Sequence, residues 1–135
     1  MLRNSKGFTL IELMIVIVIL GVLALVAMPS YFEMRAAAKE GVVKSNMHTV
    51  QLAVEDFAAD HDGTYPTAAD AQAVIALMPG GVSPTNPFTG NPSNIAWGAL
   101  PAMPGDLGYQ ITALNQYDIT AFGAKEMLGL KLSNY

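Results

Sequence analysis

The 135-residue chain contains no cysteine. Disulfides, thiolate metal sites and cysteine nucleophiles are therefore excluded at once. Charge is scarce too, since only 13 % of residues are Asp, Glu, Lys or Arg, about half the share usual in a soluble domain. Seven Lys and Arg against eleven Asp and Glu give a net −4, and no basic cluster stands beyond the N-terminus. The electrostatic footprint of a nucleic-acid-binding protein is missing, and no nucleic-acid partner is indicated. Histidine occurs only as His48 and His61. The serines Ser30, Ser45, Ser83, Ser93 and Ser133 form no nucleophile motif, and no glycine-rich phosphate loop is present. No enzymatic activity and no cofactor are expected, and the length allows one small domain.

What the chain does have is apolar surface, at 52 % of residues, and it is concentrated at one end. Phe8 to Met28 is a run of 21 residues whose only ionisable side chain is Glu12. At about 1.5 Å per residue a helix of that length spans roughly 30 Å, the thickness of a bilayer core. Arg3 and Lys6 precede it with no acid among them, and positive charge on that side holds the N-terminus in the cytoplasm. A secretory signal peptide has an apolar region of only about 7 to 15 residues, so this run reads as a membrane helix. Glu12 is then a puzzle. An ionised carboxylate at that depth costs several kcal/mol unless paired and is functional by default, and nothing cationic lies within the span.

The segment Gly7-Phe8-Thr9-Leu10-Ile11-Glu12, between a short basic leader and a long apolar helix, closely resembles the processing motif of type IV prepilins and the pseudopilins of type II secretion. The resemblance implies that a prepilin peptidase cuts between Gly7 and Phe8 and that the new Phe8 amine is methylated. It also supplies the missing cation. The carboxylate of Glu12 can meet the Phe8 ammonium of its own chain or of a neighbour, and the second pairing selects the register of a filament. Loss of Arg3 and Lys6 with the leader would leave five Lys and Arg against eleven acids, a charge of −6.

The expected organisation is a removed leader (1–7), a transmembrane and filament-core helix (8–28), the amphipathic half of the same spine helix (29–59) and a globular head (60–135). Gly21 and Pro29 interrupt the helix pattern, and Pro29 predicts a kink or local melting. Met34, Ala37, Ala38, Val42, Met47, Val50, Val54 and Phe57 recur at steps of three and four and mark the face turned to the head. Asp60 to Thr67 ends the spine with turn residues, including a Gly-Thr-Tyr-Pro stretch that again resembles pilins. Thr67 with Asp70 three residues on predicts a capped helix over Ala68–Met78, stopped by Pro79-Gly80-Gly81. Residues 79–106 hold six of the eight prolines and read as irregular loop. Tyr109–Leu114 and Tyr117–Phe122 alternate as a hairpin about Asn115-Gln116, and Met127–Leu132 as a further strand. The fold class is α+β, a long helical spine packed by a small antiparallel sheet, as in type IV pilins.

No metal site is predicted. Asp106 and Asp118 are the weak candidates for calcium, without the acid-rich spacing of a calcium loop. The spine aromatics Phe8, Tyr31, Phe32 and Phe57 read as packing groups. The resemblance implies a structural subunit, held in the inner membrane as precursor and then polymerised with copies of itself by an assembly platform and its ATPase. An extracellular pilus is the first reading. Alternatives are the periplasmic pseudopilus of type II secretion and a membrane-anchored binding domain that never polymerises. The filament's task, whether adhesion, twitching motility, DNA uptake, protein secretion or electron transfer, is left open.

Overall fold

The computed structural model describes residues 7–134, so the leader charges Arg3 and Lys6 lie outside the described residues. The chain divides into two compact units, Met1–Arg35 and Ala36–Tyr135. Helix α1, Leu10–Asp60, contributes to both and contains Gly21 and Pro29.

In the first unit, α1 is apolar on all sides. Its large hydrophobic side chains from Leu10 to Met34 are exposed by between 43 % (Val16) and 75 % (Leu10). A helix of this kind needs lipid or other helices around it, and α1 is long and apolar enough to cross a membrane. Tyr31 and Phe32 meet edge to face with ring centroids 5.9 Å apart, and the Arg35 guanidinium lies over Tyr31.

The second unit is built on the rest of α1. Val43, Met47, Val50, Val54 and Phe57, at alternating steps of four and three, are buried against the sheet and α2 (Ala71–Leu77). Each such side chain taken out of water contributes about 1.5–3 kcal/mol. The expected stripe is thus found from Met47 to Phe57 but differs before it. Val43 and Asn46 face inward, while Val42 is 46 % and Met34 65 % exposed. Adjacent valines at 42 and 43 leave the apolar period ambiguous, and Asn46 is drawn in because its amide donates to the Thr85 carbonyl at 2.9 Å. At the end of α1, Asp62 and Gly63 both take positive φ, and the Gly63 N–H closes on the Ala58 carbonyl at 2.8 Å, a left-handed helix stop.

The cap at Thr67 forms as expected. The Asp70 carboxylate accepts from the Thr67 N–H at 2.9 Å and from its hydroxyl at 2.7 Å. These bonds, the backbone one foremost, hold the Asp70 carboxyl below its ordinary value. The helix beyond is shorter than expected and opens with a 3₁₀ turn, Ala68–Asp70.

The sheet has four strands in the order β1 (Ile95–Trp97), β2 (Leu107–Ala113), β3 (Gln116–Ala121), β4 (Leu132–Ser133). The β2–β3 hairpin is antiparallel, with Tyr109 opposite Ile119 and Leu107 opposite Ala121, and β4 extends it beside β3. Strand β1, inside the segment expected to be loop, pairs parallel with β2 and makes the sheet mixed. The hairpin turn is Leu114-Asn115, one residue earlier than expected, with Asn115 at φ 57°. Asn tolerates that left-handed conformation, and the β2–β3 register shifts between Ile111 and Ala113 just before the turn. Of the strand expected over Met127–Leu132, only a bridge at Met127 and β4 itself form. Leu107, Tyr109, Tyr117, Ile119 and Ala121 share a core with α1. The other face of β2 is covered at Gly108, where a Cβ would stand 2.7 Å from Pro101 Cδ.

Candidate functional site

The N-terminal segment is built around a helix start. Thr9 is the last residue before α1, and Glu12 is three residues further on. Glu12 Oε2 accepts from the Thr9 N–H at 2.8 Å and from the Thr9 hydroxyl at 2.7 Å, and the Glu12 N–H approaches Thr9 Oγ1 at 3.3 Å. This is a capping box. It satisfies donors that the first turn of a helix leaves without partners, and it places a negative charge at the positive end of the helix dipole. Glu12 thus has a hydrogen-bonding partner three residues away, although no cation lies within the span. The signal for the capping box was present as Thr-Xaa-Xaa-Glu, the same pattern as at Thr67 and Asp70.

Oε2 takes both Thr9 donors, and Oε1 takes no hydrogen bond among the described residues. Gly7 and Phe8 precede the helix in irregular backbone. Phe8 is 72 % exposed, and a Cβ built on Gly7 would meet nothing within 4 Å. Nothing in the fold therefore requires glycine at position 7.

The sequence candidates in the head are spread apart. Asp106 is buried just before β2, where one oxygen lies 3.4 Å from the Asn94 N–H and 3.5 Å from the Asn86 amide. Asp118 is paired with Lys131 at 3.0 Å on β3. Asp106 bonds through its carbonyl to Phe122, four residues along the ladder from Asp118, so the two acids do not form one ligand set. His48 Nδ1 lies 3.4 Å from Gln51 Oε1. His61 stacks on Phe57 with centroids 3.9 Å apart and Nδ1 2.7 Å from the Phe57 carbonyl. Among the described residues no three His, Asp or Glu side chains converge as a metal-binding group.

The head holds an aromatic cluster that sequence reasoning missed. Trp97, Tyr109, Tyr117 and Tyr65 follow one another with centroid separations of 5.0, 5.6 and 4.9 Å. Tyr117 and Tyr65 both donate to Glu55, Tyr117 to Oε1 and Tyr65 to Oε2 at 3.1 Å. The Tyr109 hydroxyl is buried without a partner among the described residues. Burial foremost pushes both Tyr109 and Tyr117 well above the ordinary phenol value. Positions 65, 97, 109 and 117 lie in four separate segments, and only the parallel pairing of β1 with β2 brings Trp97 opposite Tyr109.

The family profile described as the prokaryotic N-terminal methylation motif matches residues 2–28. The chain is 30 % identical over 131 residues to the type II secretion system core protein G of Pseudomonas aeruginosa, covering 90 % of this chain and 85 % of that protein. It is 40 % identical over 59 residues to the type IV major pilin protein PilA of Myxococcus xanthus, covering 44 % of this chain and 27 % of that protein. To the competence protein ComGC of Bacillus subtilis it is 32 % identical over 69 residues, 51 % of this chain and 70 % of that one. No solved structure matches the chain. With the methylation motif at the exposed start of α1 and similarity that continues through the head, the chain belongs to the type IV pilin and pseudopilin family of filament-forming structural subunits.

Proposed function

We propose that this protein is the repeating subunit of an extracytoplasmic filament, cut by prepilin peptidase between Gly7 and Phe8, methylated on the Phe8 amine and polymerised through α1. The observation that supports it most is the uncovered apolar stretch of α1 from Leu10 to Met28, whose one carboxylate, Glu12, has an oxygen without a hydrogen bond among the described residues. As precursor, the helix rests in the inner membrane. An assembly platform and its ATPase then draw the subunit out, and neighbouring α1 helices replace lipid around it. Lipid tails are as apolar as the helix, so this exchange is not driven by hydrophobicity alone. Pairing of Glu12 Oε1 with the Phe8 ammonium of a neighbour supplies the selection of register, and in an apolar surround an unpaired charge is heavily penalised. Local melting near Gly21 and Pro29 belongs to the same step, since a proline inside a helix leaves a carbonyl without its donor.

A surface pilus and a periplasmic pseudopilus both fit this chemistry. One observation favours the pseudopilus: the similarity that runs the length of the head is to a type II secretion protein. The absence of cysteine is consistent with it. Mass spectrometry of assembled material is expected to find a mature N-terminus at methylated Phe8, and an intact Met1 start would overturn the processing step. Glu12→Leu should insert in the membrane normally but give few or no filaments. Electron microscopy then separates the two filaments, because a pseudopilus is absent from sheared cell-surface material and a pilus is abundant there.

A further inference from the structure

The aromatic cluster of the head has an arrangement of protons that packing does not need. Rings 5 to 6 Å apart are ordinary in a core. The unusual feature is that the two middle phenols, both buried, are treated differently. Tyr109 has no acceptor for its hydroxyl proton among the described residues, whereas Tyr117 and Tyr65 share the two oxygens of one carboxylate, Glu55. A phenol gives up an electron readily only when its proton has a base within hydrogen-bond reach, the same geometric requirement as for any proton transfer.

We propose that Trp97, Tyr109, Tyr117 and Tyr65 form a relay that carries a one-electron oxidising equivalent from the indole to the Tyr117–Glu55 pair and on to Tyr65. A one-electron oxidant, such as azide radical, takes an electron from Trp97, and the indole loses its N–H proton to water. An electron from Tyr117 reaches the indolyl radical through the Tyr109 ring, and the indole nitrogen regains a proton from water. The Tyr117 phenolic proton moves to Glu55 Oε1. The indole is restored, Tyr117 is a neutral phenoxyl radical and Glu55 holds the proton. Tyr65 can then pass an electron to Tyr117 as its own proton moves to Glu55 Oε2 and the Oε1 proton returns to Tyr117. The carboxylate thus lets the radical shift between two phenols without a net proton leaving the site. Tyr109 serves as a bridge and not a stop, because its proton has nowhere to go.

Direction follows from the point of entry. Trp97 and Tyr65, at the ends, are half-buried, while Tyr109 and Tyr117 are 1 % and 0 % exposed. The chain has a single tryptophan and no thiol, so an oxidant selective for indoles enters at one defined position. The relay leads the oxidising equivalent from Trp97 through the buried pair Tyr109 and Tyr117 to Tyr65.

The test is pulse radiolysis of the full chain in detergent with azide radical, which oxidises indole first. Decay of the indolyl absorption is expected to match the rise of phenoxyl absorption, at a rate independent of protein concentration. Glu55→Gln, at an exposed position, should slow that transfer by about tenfold or more while leaving the circular dichroism unchanged, a barrier increase of about 1.4 kcal/mol. Tyr117→Phe should slow it similarly, and Tyr65→Phe should leave the first transfer intact but lengthen the life of the phenoxyl radical. A rate that scales with concentration, or one unaffected by Glu55→Gln in a folded protein, overturns the proposal.

Discussion

Removing one oxygen atom from each of two neighbouring tyrosines should move stability in opposite directions. Tyr109 and Tyr117 lie on the same face of the β2–β3 ladder with centroids 5.6 Å apart, and neither is more than 1 % exposed. Tyr117→Phe removes a hydrogen bond to a carboxylate, and bonds to charged groups contribute about 1.5–3 kcal/mol. Glu55 is exposed, so water recovers part of the loss and the expected destabilisation is about 1–2 kcal/mol. Tyr109→Phe removes a buried hydroxyl that has no partner, and an unsatisfied buried donor costs about 1–3 kcal/mol. That variant should therefore match the parent or exceed it by about 1–2 kcal/mol. For a unit the size of Ala36–Tyr135, each kcal/mol shifts the melting temperature by about 4–8 °C, so the two variants should melt about 10 °C apart. The assay is thermal unfolding of the full chain in detergent, followed by the near-ultraviolet aromatic signal. Adding Glu55→Gln to each variant supplies the control. It should be non-additive with Tyr117→Phe and additive with Tyr109→Phe. Equal losses in the two single variants would refute the assignment of the hydrogen bond to Tyr117 and of the orphan hydroxyl to Tyr109.

Three further outcomes are expected. Gly108→Ala places a Cβ 2.7 Å from Pro101 Cδ and 2.8 Å from the Ala99 carbonyl, and denaturant unfolding should show a loss of about 1–3 kcal/mol, while Gly129→Ala, which meets nothing within 4 Å, should be neutral. Asn86, 2 % exposed, donates to the Pro104 carbonyl at 2.8 Å and accepts from the Phe88 N–H at 2.8 Å, so Asn86→Ala should cost about 2–4 kcal/mol by the same measurement. Tyr109 and Tyr117 have phenols raised, by burial foremost, above the ordinary value of about 10. Their contribution is complete below that pH and is lost above it, where the unfolded chain releases protons that the folded chain keeps. Stability measured from pH 9 upward should fall beyond about pH 10, and less steeply in Tyr117→Phe.

The long helix, the cap at Thr67 and the hairpin were legible because each rests on local chemistry: an apolar run, a hydroxyl three residues before an acid, alternation about an Asn turn. What escaped rests on partners distant in sequence. Three residues, Ile95–Trp97, are too few to announce a strand, and β1 exists because β2 offers an edge beside it. The Glu55 site could not be seen from position 55, whose phenols arrive from positions 65 and 117. The inward turn of Asn46 likewise depends on the Thr85 carbonyl, 39 residues away. Glu12 is the opposite case. Its partner, Thr9, is only three residues away, and the Thr-Xaa-Xaa-Glu pattern of a helix start is written in the sequence.

That neighbour changes what Glu12 has to do under the proposed function. A carboxylate with no donor at all could scarcely wait inside a bilayer for a filament to form. One that already takes two hydrogen bonds on Oε2 and sits on the positive end of α1 can be held there at lower cost. Its other oxygen keeps the capacity to accept an ammonium. Under the proposed function the capping box would divide the carboxylate between two tasks, with Oε2 holding the helix start and Oε1 left to read the register when a neighbour arrives. Thr9→Val separates these tasks, because it keeps the shape of the side chain and removes its hydroxyl. Pairing with an amine should survive, while the precursor, which has lost one of the two donors to Oε2, should be recovered from membranes in reduced amount. If Thr9→Val instead leaves precursor levels intact and abolishes filaments, the hydroxyl belongs to the register and the division of the two oxygens is wrong.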